Sequence, residues 1–96
     1  MPSREEILRL LRERRDEMYM RFSVRSIGLF GSFARDATTD KSDIDLLVEL
    51  EKPTFDHYMD LKFYLEELFG RSVDLVLSDT VKPSLVPHIL REVAYA

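Results

Sequence analysis

Residues 31–45, GSFARDATTDKSDID, hold the two features from which the rest of the chain can be read. The stronger lies at the end. Asp43 and Asp45 open the run DIDLLVEL (43–50), whose remainder is apolar and strand-like. Aspartate is depleted in strands, so two of them at the mouth of one need a reason. In an extended chain alternate residues share a face about 6.6 Å apart. Their carboxylates then repel each other unless one is protonated or a cation lies between them. Two divalent ions ~3.5–4 Å apart fit between such groups, and Mg²⁺ favours oxygen ligands completed by phosphate and water. Ile44 and Leu46 face the other way, into a core, and set the strand's register.

The second feature is Gly31-Ser32. VRSIGLF (24–30) reads as a strand, and Gly31-Ser32 ends it. Ser32 can then cap a short helix over Phe33 to Asp36. Glycine lets a ligand approach the backbone closely, free N–H groups at a helix start attract phosphate, and Ser32 adds a hydroxyl donor. Alone, a Gly-Ser pair is more often a plain turn. Eleven positions before Asp43 it gains force, because a triphosphate held there could present its phosphates to ions on the acidic pair. Arg35 either neutralises a phosphate or is a surface arginine; the sequence leaves both open.

Working outward, Ser3-Arg4-Glu5-Glu6 fits a capping box, and Ile7, Leu11, Met18 and Phe22 recur at near-helical spacing, so one helix is expected over about residues 4–20. ATTDKS (37–42) is a polar loop. Phe55, Tyr58, Leu61, Leu65 and Leu68 line one face of a helix that stops at Gly70. VDLVL (73–77) is a third strand, with Val73, Leu75 and Leu77 on one face and Asp74 on the other. If it adjoins the first acidic strand, a third carboxylate joins the pair; otherwise Asp74 is an edge charge. Pro83 and Pro87 allow a turn and then a short last helix through Ile89, Leu90 and Val93. The apolar end, VAYA (93–96), either packs on the sheet or belongs to an interface. The expected fold is a single α/β (α+β) domain over residues 1–96, a small mixed sheet flanked by helices.

Composition narrows the function classes. The chain has 96 residues, 45% hydrophobic and 33% charged, as ordinary folded proteins do. With no cysteine there are no disulfides or thiolate metal sites, which fits a reducing cytoplasm. MPSREEILRLL has no signal-peptide core, and no apolar run nears the ~20 residues that span a bilayer, so no membrane association is expected. The net charge is −4, with 18 acidic and 14 basic residues, where phosphate-gripping proteins usually carry a basic excess. The basic residues cluster in Arg4 to Arg25 but alternate with Glu and Asp, as on a solvated helix face, so direct nucleic-acid binding is not expected. His57 and His88 fall on helices far from the motif and read as surface or packing residues.

Gly31-Ser32, ten intervening residues and Asp43-Ile44-Asp45 match the G-S-x10-D-x-D signature of the DNA polymerase β-like nucleotidyltransferase superfamily. GSFARDATTDKSDIDLLVEL more closely resembles the small branch of minimal nucleotidyltransferases, which include the antitoxins of HEPN/MNT toxin–antitoxin pairs. The likeness runs from the first strand to Asp74, and KPSLVPHILREVAYA at the end is also similar. The resemblance implies a polymerase β-like fold and transfer of AMP from ATP to a hydroxyl. It implies Asp43 and Asp45 as ligands of Mg²⁺, two ions in number, and Asp74 beside the catalytic ion and acceptor hydroxyl. Gly31 and Ser32 would hold the triphosphate, with Arg35 nearby. In the antitoxin branch the acceptor is a tyrosine of the HEPN-type toxin, which would then be the partner. Members often carry Arg after the Ser and Gly after the second Arg; Phe33 and Asp36 stand there in this chain. Two other readings accompany this one: a binding module that neutralises its partner by occlusion, and a stand-alone transferase for a small molecule.

Overall fold

The computed structural model describes residues 2–35, 38 and 42–96, and the expected ends of the 33–36 helix and of the 37–42 loop fall partly outside them. The chain runs α1 (Arg4–Glu13), α2 (Arg15–Phe22), β1 (Val24–Phe30), α3 (Gly31–Ala34), β2 (Ile44–Leu50), α4 (Phe55–Phe69), β3 (Val73–Leu77), a 3₁₀ turn (Ser78–Thr80), α5 (Val86–Glu92) and β4 (Ala94–Tyr95). The strands form one mixed sheet in the order β3-β2-β1-β4. β1 runs antiparallel to β2 and to β4, while β2 and β3 are parallel, as the intervening α4 crossover requires.

The acidic strand is central, and its alternation is resolved as expected. Ile44, Leu46 and Val48 are fully buried on the helix side, joining Ile7, Leu11, Met18, Leu61 and Leu65 in the main core. α4 begins at Thr54, whose hydroxyl accepts from the His57 N–H at 3.1 Å, and ends at Gly70 in the left-handed conformation (φ 67°). Two side chains of α4 also seal the outer edge of β3. Glu66 accepts from the Val73 N–H at 3.1 Å, and the Tyr58 hydroxyl donates to the Leu75 carbonyl. These bonds fix where α4 sits along β3 and satisfy backbone groups that an edge strand leaves open.

Three expectations change. The first helix is two: Arg14 breaks it, with its N–H shared between the Leu10 and Leu11 carbonyls at 3.2 and 3.3 Å. Residues 12–17 are all charged and none is buried, so no core contact opposes a break there. Phe55 does not line the buried face of α4 but stands 75% exposed at its first turn. The C-terminal VAYA packs on the sheet: Leu29 pairs with Ala94 and Gly28 with Tyr95, a two-residue strand too short to be announced by periodicity. A Cβ on Gly28 would come within 3.0 Å of Tyr95 Cδ1, so glycine is what lets this strand lie close.

α2 closes on Ser23 in the left-handed region (φ 58°), unusual for a residue other than glycine. Its backbone carbonyl accepts from the Glu51 N–H at 2.8 Å and its hydroxyl from the Lys52 N–H at 3.0 Å, so the end of β2 holds the turn in place. No helix among the described residues is long and apolar enough to cross a membrane.

The contrast between core and surface on this scaffold is measurable. Leu46→Ala removes a fully buried side chain next to the acidic position and should lower unfolding free energy by ~2–5 kcal/mol in urea titrations. Phe55→Ala should stay within about 0.5 kcal/mol of wild type; a large loss there would contradict its exposed placement.

Candidate active site

The two halves of the 31–45 stretch meet at Asp45. In the parallel ladder Asp45 stands in register with Asp74 of β3, and across the antiparallel ladder it faces Phe30, the residue before Gly31. The parallel register therefore brings Asp74 beside the first acidic strand, as the third-strand reading anticipated. Asp43 lies just before β2 begins, not within it, and is exposed.

Asp45 is partly buried, and its carboxyl is pushed up to about 6. Burial contributes most, followed by the charges of Asp74 and Asp43 and a hydrogen bond shared with Asp74; the Arg35 guanidinium acts in the opposite direction. The site is thus a concentration of negative charge, with the Arg35 guanidinium acting against it. Such a cluster is relieved by protonation or by a bound cation.

Gly31 sits against this carboxylate. It has φ +73°, and a Cβ there would overlap Asp45 Oδ2 and lie 2.9 Å from Cγ. Both the backbone conformation and the lack of space require glycine. Ser32 does not cap α3, contrary to expectation. The helix starts two residues earlier, at Gly31, with Phe30 in the cap position and no side-chain cap bond, because the left-handed Gly31 turns the chain directly into it. Ser32 therefore lies in the first turn, partly exposed, two residues beyond the strand residue that faces Asp45.

Phe33, which replaces an arginine common in the family resembled, is 1% exposed and belongs to the core. Asp36 lies outside the described residues. Arg35 follows α3 and pairs through Nη1 with Glu92 of α5 at 2.7 Å.

Sequence reading passed over Arg71 and Glu92. Arg71 Nη1 donates to the Ser42 carbonyl at 3.0 Å, and its guanidinium lies 5.3 Å from the Phe33 ring centre. It thereby ties the residue before Asp43 to the helix after Gly31, assisted by the Ile44 N–H donating to the Ser72 carbonyl at 3.1 Å. Neither residue falls in a motif or a period, so nothing in the linear pattern marked it. His57, by contrast, is as expected a packing residue: its Nδ1–H donates to the Lys52 carbonyl at 2.8 Å, far from the acidic edge in the sequence, and His88 is exposed on α5.

Among the described residues no three His, Asp or Glu side chains form a ready-made metal cage. Asp45 and Asp74 stand together, with Asp43 close enough for its charge to be felt. That donor set suits Mg²⁺, which is commonly held by one or two carboxylates and completed by substrate phosphate and water.

Residues 8–95 match the family model of the nucleotidyltransferase domain. The chain belongs to the nucleotidyltransferase domain family. It is 41% identical over 92 residues to the protein adenylyltransferase MntA of Thermococcus cleftensis, covering 95% of this chain and 93% of that one. A solved structure assigned as a minimal nucleotidyltransferase superposes with a TM-score of 0.74 at 36% identity, covering 91% of this chain and 93% of that chain. At the level of fold alone, the complex of a tri-AMPylated Shewanella oneidensis HEPN toxin with its MNT antitoxin gives a TM-score of 0.64 at 19% identity, covering 92% of this chain and 70% of the other. The minimal nucleotidyltransferase fold expected from the sequence is the one observed, and the activity of this nucleotidyltransferase domain is nucleotidyl transfer.

Two measurements probe the site without substrate. A carboxyl raised above its unfolded value lends stability that is complete below about pH 4 and is lost as pH rises through about 6. With chelator present, Asp45→Asn should therefore gain on wild type in urea unfolding at pH 7.5 relative to pH 4; an equal difference at both pH values would disprove the crowding of charge. Gly31→Ala should cost ~1–3 kcal/mol from its left-handed backbone alone, with further loss from the overlap with Asp45, whereas Ala at exposed Gly70 meets no atom within 4 Å and bears only the backbone cost.

Proposed function

We propose that this nucleotidyltransferase domain is a Mg²⁺-dependent protein adenylyltransferase. In this reading it moves AMP from ATP to a hydroxyl, a tyrosine of a HEPN-type ribonuclease toxin, and so serves as that toxin's antitoxin. The observation that carries the reading is the register that sets Asp45 beside Asp74 while Gly31 abuts the same carboxylate. It supports reading the two as a metal-binding edge and a phosphate-binding turn within one ligand's reach. The names of the relatives support the substrate class: one is a protein adenylyltransferase, and a structural neighbour is an antitoxin bound to a toxin carrying AMP.

Asp43, Asp45 and Asp74 would hold the metal ions, which supply charge neutralisation on the phosphates and a template for the in-line reaction. Gly31 and Ser32 receive the triphosphate, with Arg35 beside it. Asp74 accepts a hydrogen bond from the acceptor hydroxyl and takes its proton. The hydroxyl oxygen forms a bond to the α-phosphorus, the bond from that phosphorus to the α,β-bridging oxygen breaks, and pyrophosphate departs. No protein nucleophile is needed, since positioning and electrostatics carry such transfers. Asp45 contributes a second effect of its own: a cation at this edge would oppose both the burial and the neighbouring charges that raise its carboxyl to about 6.

The decisive assay incubates the chain with labelled ATP, Mg²⁺ and a purified HEPN-type toxin. Wild type should label the toxin, and Asp43→Asn/Asp45→Asn should lose at least ~10³-fold of the rate, the scale on which charge-stabilising groups act. Neutralisation of the toxin by an unlabelling double variant would establish occlusion instead. Labelling of a small hydroxyl compound but no protein would establish the stand-alone transferase.

A further inference from the structure

The Arg35 guanidinium acts against the acidic cluster, and in the free chain it is already engaged by a carboxylate. Its Nη1 lies 2.7 Å from Glu92 Oε1, at the last residue of α5. α5 packs against α3 and β1, so a residue sixty positions downstream in rough terms is carried to the end of the Gly31–Ala34 turn by the tertiary fold. The pair is solvent-facing, with side chains 53% and 34% exposed, and such ion pairs are weak and readily exchanged. A guanidinium presents the same planar donors to a carboxylate as to a phosphate oxygen. Glu92 thus engages Arg35 in the manner a phosphate would.

We propose that Glu92 is an affinity-setting residue of the nucleotide site: its carboxylate holds Arg35 in the free chain and yields it to a phosphate of the incoming nucleoside triphosphate. This rests on the reading of Gly31, Ser32 and Arg35 as the nucleotide half of the site. The exchange has a structural reporter. Glu92 is followed by Val93, whose N–H donates to the Ile89 carbonyl at 2.9 Å, and then by β4, which pairs with Gly28 and Leu29. Release of Glu92 loosens the end of α5, so nucleotide binding should speed hydrogen exchange at residues 92–95 while slowing it around residues 31–35.

The test is calorimetric binding of a non-hydrolysable ATP analogue with Mg²⁺ to wild type, Glu92→Gln, Arg35→Met and the double variant. Glu92→Gln should tighten binding ~3- to 10-fold, on the scale of releasing one weak competing ion pair. Arg35→Met should weaken it, and in that background Glu92→Gln should have no effect. Glu92→Ala, checked by thermal melting, repeats the measurement should the glutamine disturb the helix end. Unchanged or weaker binding by folded Glu92 variants would overturn the proposal, as would a gain that persists without Arg35, which would report only general charge. If neither wild type nor the Glu92 variants bind the analogue at millimolar concentration, the nucleotide reading itself fails and this inference with it. Binding by wild type without a Glu92 effect rejects the inference alone.

Discussion

The parallel pairing of β2 with β3 is the constraint on which the rest of the molecule depends. With Ile44 opposite Val73 and Leu46 opposite Leu75, two rows of apolar side chains enter the same core. The pleat then leaves Asp45 and Asp74 side by side on the other face. Slipping either strand by one residue would bury carboxylates and expose leucines, a cost no surface interaction could offset. Hydrophobic packing on one face thus enforces electrostatic crowding on the other. Burial of the Asp45 carboxyl, together with that crowding, drives it up to about 6.

Around this pairing, the supports act mainly through backbone. Glu66 and Tyr58 hold α4 against the edge of β3, and Arg71 ties the approach to β2 onto the helix after Gly31. Ser23 locks the start of β1 to the end of β2. Each of these contacts joins segments distant in sequence, and each bears on a strand that carries or adjoins the acidic residues. The scaffold is small, so few of its polar side chains lack a consequence for the site.

How much of this was legible beforehand depended on whether the signal was local. Ile44 and Leu46 alternating with Asp43 and Asp45 disclosed the strand and its two faces, because period-two burial is written directly in the sequence. Gly70 marked the end of α4 just as locally, as a glycine after the last apolar position of a helical period. The break at Arg14 was not visible, since Ile7, Leu11, Met18 and Phe22 keep helical spacing across it. Ser32 as a cap was a reasonable guess that a left-handed Gly31 displaced by two residues, to Phe30. Arg71, Glu92 and β4 were beyond reach, because their roles arise from contacts across many residues and leave no periodic trace. The motif thus exposed the acidic pair and the glycine turn, but not the residues that hold them.

Gly31 lying against the Asp45 carboxylate has a mechanical consequence. With no side chain as a spacer, the turn and the acidic strand cannot shift independently, and the two behave as one rigid part. Their mutual placement is settled when the chain folds, so a ligand spanning both need not supply the entropy of bringing them together. Whatever compliance the site possesses is displaced to its rim, where short surface contacts can rearrange without disturbing the sheet.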